Sequence, residues 1–337
     1  MTSTLTRRSQ LELADASDLR FLAGQQHGHW GGGLTRGQFY ELSNLQNQLP
    51  WGRKNLHVYL LRHRGQIVSS CKLYDLDVQS HSKRYRVGGI GAVFTPEHAR
   101  GQGYASELMS LMVNHGEQQQ YDAMLLFCDI DPGFYESFGY ELMPDSDFHI
   151  WMDADGIEQF AMYGGVDGSS PDAAEIDLVP LTPECFSKML RHYSRYLQRQ
   201  PYGVVRSLEY LQLKMRRLQF RNGILPDWPQ QEVITLDFDS PQGGYAVIEQ
   251  DGEIMRVLEV VGDESARIKL WQNILRNALV RRVKLIRGWE SAAPEFRKFV
   301  RWTQRSEWSR PMMYVINSET DRWLDLNECP LLELDHF

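Results

Sequence analysis

The sequence predicts an α/β (α+β) fold: a mixed central sheet flanked by helices, followed by a second unit of the same plan. Three observations carry this. Residues 88–105 read as an apolar strand, a polar turn and a glycine-bearing helix start. The short apolar run 122–128 follows that helix, which makes a strand–helix–strand crossover with parallel strands. Beyond residue 175 the order of helices, antiparallel strands, long helix and strand recurs, without visible sequence similarity. A length of 337 residues allows two cores. The expected division is a first domain over 1–155, a linker over 156–174 and a second domain over 175–337.

Each element has a local reason. Residues 10–13 alternate briefly, and Asp15 or Ser17 offers a cap for a helix near 18–26. Residues 27–34, with glycines at 31–33, read as a loop. Thr35 caps a helix through Leu45, with Phe39, Leu42 and Leu45 on one face. Two strands, 55–63 and 66–73, flank the Arg64–Gly65 turn. Residues 74–83 are polar and read as a connection, and 84–95 as the next strand. Residues 131–139 predict a turn and a short helix ended by Gly139, and 140–152 close the first unit. The linker is rich in glycine, serine and acids. Helices are expected over 182–198, 207–221 and 265–281, and strands over 232–238, 244–249, 255–261 and 283–288. The last of these helices turns Trp271, Ile274, Leu275, Ala278 and Leu279 to one side.

Composition narrows the class. With 42% hydrophobic and 24% charged residues the chain has ordinary globular content. No run of 18 apolar residues predicts a membrane span, and no apolar run follows Arg7 and Arg8 to make a secretory signal. Four scattered cysteines without CxxC spacing predict neither a metal site nor a disulfide framework, and a cytoplasmic setting is expected. A formal charge of −8 argues against a nucleic-acid binder and is compatible with a cationic substrate such as an amine.

Chemistry concentrates at residues 100–105, where Arg100, Gly101, Gln102, Gly103, Tyr104 and Ala105 turn into a helix. A helix start carries N–H groups without intrahelical partners and the positive end of the dipole. Glycines let a phosphate or pyrophosphate approach that backbone. There is no GxxxxGK[ST], no third glycine of a dinucleotide fingerprint, no HExxH and no GxSxG. A nucleotide-binding module is the weaker alternative.

The combination of Arg100-x-x-Gly103-x-Ala105 after Val93-Phe94-Thr95, then an apolar strand, then Phe134-Tyr135-x-x-Phe138-Gly139-Tyr140, resembles the GCN5-related N-acetyltransferase (GNAT) superfamily over residues 9–152. One more residue lies between Pro96 and Gly103 than that family commonly has. The tandem plan is similar to Eis-type acetyltransferases and N-myristoyltransferases, and the wording around Val93–Ser106 to fungal lysine N6-acetyltransferases. The resemblance implies a GNAT fold, a degenerate second GNAT-like domain without the coenzyme A motif, and acetyl-CoA as co-substrate without a metal. It implies that the backbone of Val93 and Thr95 pairs with the pantetheine arm, and that the amides of 100–105 hold the pyrophosphate.

The implied activity is an N-acetyltransferase moving an acetyl group to a primary amine (small molecule, lysine or peptide) by direct transfer. The alternative is an acyl-CoA-binding regulatory protein with a decayed acceptor site. Transfer needs a base for the amine, polarisation of the thioester oxygen and a proton for the leaving sulfur. Tyr135 matches the family's general acid, and the amide of Val93 or Phe94 is placed to stabilise the oxyanion. Candidates for the base are His27 and His29 in the early loop, Glu97 and His98 beside the turn, and the carboxyl group of Phe337, which the tandem families bring to the first domain's site. A homo-oligomer is compatible with the sequence; no nucleic acid or membrane partner is expected.

Overall fold

The computed structural model describes residues 9–144, 146–153, 177–178, 182–296, 301–304, 309–317 and 329–337. The expected linker over 156–174 lies outside them. The first half supplies β1 (Gln10–Leu13), α1 (Ala16–Trp30), α2 (Arg36–Gln48), α3 (Pro50–Asn55), β2 (Leu56–His63), β3 (Gln66–Ser80), β4 (Lys83–Phe94), α4 (Tyr104–Gln118), β5 (Ala123–Cys128), α5 (Gly133–Glu136) and β6 (Glu141–Leu142). Then follow β7 (Ser146–Trp151), β8 (Asp177–Leu178), α6 (Pro183–Leu197), β9 (Gly203–Val204), α7 (Leu208–Asn222), β10 (Gln230–Leu236), β11 (Gly244–Asp251), β12 (Ile254–Val261), α8 (Glu264–Val280), β13 (Leu285–Trp289), β14 (Arg301–Gln304) and β15 (Arg310–Val315).

Two mixed sheets result. The first runs β1-β2-β3-β4-β5-β15-β6, with β9 on β3; the second runs β14-β7-β13-β12-β11-β10-β8. In each, one parallel pair, β4 with β5 and β12 with β13, is joined by a helix, α4 or α8. The α/β expectation and its repeated plan hold. Residues 146–151 do not close the first unit: β7 pairs β13 and β14 of the second sheet, and β15 in turn pairs β5 of the first. Phe148 decides the placement of β7, because its ring is buried against Trp271 of α8 at 5.4 Å.

Two further expectations are corrected. Residues 27–30 are the last turn of α1, which ends at Gly31, and His27 Nε2 lies 2.6 Å from the Leu34 carbonyl oxygen to tie the loop that follows. Residues 74–80 continue β3 rather than forming a connection. Tyr74, Leu76 and Val78 alternate inward there, with Asp75 and Asp77 between them, and β4 pairs as far back as Lys83. The polar residues are the outward half of a period-two pattern.

The first sheet is covered on both faces. Leu108, Met109 and Met112 of α4 pack with Leu73, Ile90 and Leu126 on one face. On the other, Tyr202, Val204 and Tyr210 pack with Tyr74, Leu76 and Leu125. The second half therefore forms part of the first sheet's own core.

Candidate active site

The site is built where β4 and β5 part. Their parallel pairing covers only Val87–Ile90 with Ala123–Leu126. Beyond that point β4 stays with β3 as far as Phe94, and β5 stays with β15 as far as Cys128. The cause lies in β4: Ser70 faces Phe94 and Lys72 faces Gly91, so Ala92 and Val93 oppose the single residue Cys71. Ala92 takes φ of +48°, the mark of a bulge that bends the strand away from its neighbour. The result is a V-shaped opening in which β5 no longer pairs the β4 wall beyond Ile90.

At one end of the V stands the start of α4. Gly101 (φ +72°) and Gly103 (φ +82°) adopt the left-handed conformation, and a Cβ on either would meet open space. Packing therefore does not demand glycine there; backbone conformation and free approach do. Among the long helices α1, α2, α6, α7 and α8, each start is capped by a side chain, from Asp15, Thr35, Thr182, Ser207 and Asp263 respectively. At α4 the cap is Gly103, with no side-chain hydrogen bond. Its first amides are left facing outward, an arrangement suited to an anion. Between β4 and Arg100 the chain makes a 3-10 turn over Glu97–Ala99. The Arg100 side chain folds back instead of forward: Nε donates to the Thr95 carbonyl at 3.1 Å, and Nη2 lies 3.0 Å from His29 Nε2. Gln102 donates to the His98 carbonyl at 3.1 Å. Both side chains are thus engaged within the turn and with His29.

Phe94 is a wall residue, buried against His29 and Trp30. Its carbonyl accepts from Ser69 Oγ at 3.1 Å. Tyr135, on α5 after β5, is 7% exposed, edge-on to Phe134 at 4.9 Å and to Tyr140 at 6.2 Å. Burial, with Cys128 and Asp129 nearby, pushes its phenol well above the usual range, so it keeps its proton at neutral pH. Glu97 and His98 are exposed in the 3-10 turn that precedes Arg100.

The opposite end of the V is filled from the far end of the chain. The Phe337 ring lies 4.8 Å from Tyr74 and 5.1 Å from Phe127. A Cβ on Gly89 would come within 2.6 Å of that ring, and one on Gly91 within 3.4 Å of the Phe337 carbonyl oxygen. Glycine in a strand interior marks close approach of another group; alternate glycines at 89 and 91 were the sequence signal for this contact. The segment is held by groups that sequence reading did not single out. Arg206 bonds Asp335 at 2.9 Å and Glu259 at 2.7 Å, all three side chains being at most 2% exposed. Burial works against the Arg206 charge, but Asp335 and Glu259 hold its pKa up. Tyr210 Oη donates to Asp335 at 3.2 Å, and Lys214 Nζ donates to the carbonyls of Asp335 and His336 at 3.2 and 2.9 Å.

Among the described residues no cluster of His, Cys, Asp or Glu could hold a metal ion, and no helix is long and apolar enough to cross a membrane.

Comparison with known proteins gives a domain and a fold. Residues 44–143 match the family model of the acetyltransferase (GNAT) domain. No curated protein sequence matches the chain. A GCN5-related N-acetyltransferase from Anabaena variabilis is similar in structure with a TM-score of 0.69 and 17% identity, over 93% of this chain and 74% of that one. Eis1 from Mycobacterium abscessus is similar with a TM-score of 0.61 and 12% identity, over 92% and 74%. A tandem GNAT protein from the clavulanic acid biosynthesis pathway is similar with a TM-score of 0.54 and 13% identity, over 92% and 99%. The fold is therefore that of GNAT proteins, continued by a second sheet of like topology.

Proposed function

We propose, for a chain whose residues 44–143 carry a GNAT acetyltransferase domain, that it is an N-acetyltransferase using acetyl-CoA and a primary amine in a ternary complex. The observation that carries this reading is the V between β4 and β5, with an uncapped helix start at one end, Tyr135 beside it and Phe337 at the other. The open space before Gly101 and Gly103 fits a pyrophosphate. The amides of Arg100–Ala105 would hold it, and the edge of β4 that β5 leaves, at Val93 and Thr95, would accept the pantetheine arm as an added strand.

When bound, acetyl-CoA supplies the activated acetyl group. The chain's own residues then have three tasks. The amide of Val93 or Phe94 donates to the thioester oxygen as negative charge gathers there. A third group, beside the Phe337 ring that fills the inner end of the V, must take the proton of the attacking amine. Tyr135, held neutral by its burial, gives a proton to the departing sulfur. His27 and His29 are engaged with the Leu34 carbonyl and with Arg100, which argues against either as the base. Unpaired thiols at Cys71, Cys128 and Cys185 are consistent with a reducing, cytoplasmic setting.

The test is thiol release from acetyl-CoA with a panel of polyamines, aminoglycosides, lysine and peptide amines. Turnover with any of them is expected. Tight acetyl-CoA binding without turnover would instead favour a regulatory acyl-CoA-binding protein, and binding of ATP but not of acetyl-CoA would overturn both.

A further inference from the structure

The inner end of the V is closed by a side chain. In the ladder of β3 and β4, Gly89 faces Tyr74 and Gly91 faces Lys72. Tyr74 packs with Leu125 and Tyr210, on the side of the sheet away from α4, so both glycines turn to that side. The Phe337 ring lies over both: a Cβ would come within 2.6 Å of it at Gly89 and within 3.2 Å at Gly91. Ile90, between them, is the last β4 residue that β5 pairs. The ring therefore sits astride the point where the two strands part, in a slot that exists because two side chains are missing from β4.

The ring is held from several directions. Tyr74 bounds it at 4.8 Å and Phe127 at 5.1 Å. Phe127 is itself backed by His336 at 4.8 Å and by Trp289 at 5.5 Å. Lys214 Nζ stands 5.9 Å over the ring and donates to the carbonyl of His336, the preceding residue. Asp335, one residue further back, is fixed by Arg206. A ring packed between two aromatic neighbours, on a backbone tied to a buried ion pair, has little room to swing aside. Its position also bears on the thioester. The amide of Val93, offered to the thioester oxygen, is two residues from Gly91, at most about 7 Å of strand. Whatever the thioester carries inward along β4 meets the ring within a few carbon atoms. The slot there is walled by glycine backbone and aromatic rings, which suit an alkyl group.

We infer that the Phe337 ring sets the length of the acyl group that the chain accepts: an acetyl or propionyl thioester fits in front of the ring, and a longer unbranched acyl chain is turned away. This rests on the acetyl-transfer reading and names the residue that determines its donor specificity. A smaller side chain at 337 lengthens the slot along Gly89 and Gly91. Each further methylene of an acyl chain buried there is worth about fourfold in affinity.

A ladder of donors tests it. Thiol release to one accepted amine is measured with acetyl-, propionyl-, butyryl-, hexanoyl- and octanoyl-CoA, each read as a ratio to acetyl-CoA in the same protein. In the unaltered chain kcat/KM is expected to drop by about tenfold or more between propionyl- and butyryl-CoA. Phe337→Leu moves the drop to a longer acyl group, Phe337→Ala moves it further still, and Phe337→Trp brings it forward to propionyl-CoA. An unaltered chain that uses octanoyl-CoA as well as acetyl-CoA, or variants that leave the drop where it was, would overturn the inference while the transfer reading stands. One relaxed profile shared by the Leu and Ala variants would also overturn it, since release of the whole segment, and not the size of the ring, would then govern. If no amine is acetylated, the transfer reading fails separately, and calorimetry with the same donors decides. Dissociation constants that step with the side chain at 337 would sustain the gauge, and constants indifferent to acyl length in every variant would remove it.

Discussion

Burial serves opposite ends at Tyr135 and Lys214. At Tyr135 it keeps a weak acid protonated, and so available as a donor. Tyr135→Phe is therefore expected to lower kcat by about 10²–10³-fold, the usual worth of a placed acid, with acetyl-CoA affinity changed less than twofold; stopped-flow thiol release and equilibrium binding check both. At Lys214 burial and Arg217 depress the pKa from 10.5 to about 7. Below pH 7 the folded and unfolded chains both hold the proton, and the cost of the buried charge is fully present. Between about 7 and 10.5 the unfolded chain holds a proton that the folded one lacks, so stability rises with pH. Lys214→Met removes this slope. The unfolding free energy of the unaltered protein minus that of the variant is expected to climb by up to about 1.4 kcal/mol per pH unit between pH 7 and 9. Urea titrations at a series of pH values measure it, and a flat difference would contradict the assignment.

On the proposed reading, coenzyme binding turns on the start of α4. Gly103→Val puts a β-branched residue at φ +82° while meeting no neighbour. The expected stability loss is about 1–2 kcal/mol, and the acetyl-CoA dissociation constant is expected to rise at least tenfold; equal binding would show that the turn does not face the phosphates. This element was legible in the sequence because its determinants are contiguous: a strand, two glycines, then Leu108 and Met112 at helical spacing. The short helix that carries Tyr135 was legible for the same reason. What was not legible depends on partners far along the chain. Arg206 reads as a loop arginine until Asp335 and Glu259 arrive. The placement of Ser146–Trp151 was missed because an apolar alternation states which face is buried and not against which sheet. Only Gly89 and Gly91 hinted at a distant visitor.

At the scale of the whole molecule the two halves are joined by exchanged strands, and a buried charge cluster within the second half holds the final segment. Arg206→Met leaves Glu259 and Asp335 buried without their cation. The expected loss is about 3–5 kcal/mol, read from denaturant midpoints, together with loss of turnover as the final segment is released; a change under 1 kcal/mol would mean that the segment is held by apolar contacts alone. A chain cut to residues 9–153 lacks β15, so β5 becomes an open edge beside the V, and β7 has no sheet to join. Such a fragment is expected to aggregate or stay unfolded, whereas sharp, dispersed NMR signals would contradict this. The pairing of β5 with β15 spans about 190 residues of sequence. On a ribosome that distance becomes a delay. The β5 wall of the opening waits, one edge bare, until β15 has been made. A prematurely terminated product would therefore display an exposed strand to chaperones and proteases rather than an idle enzyme to the cell.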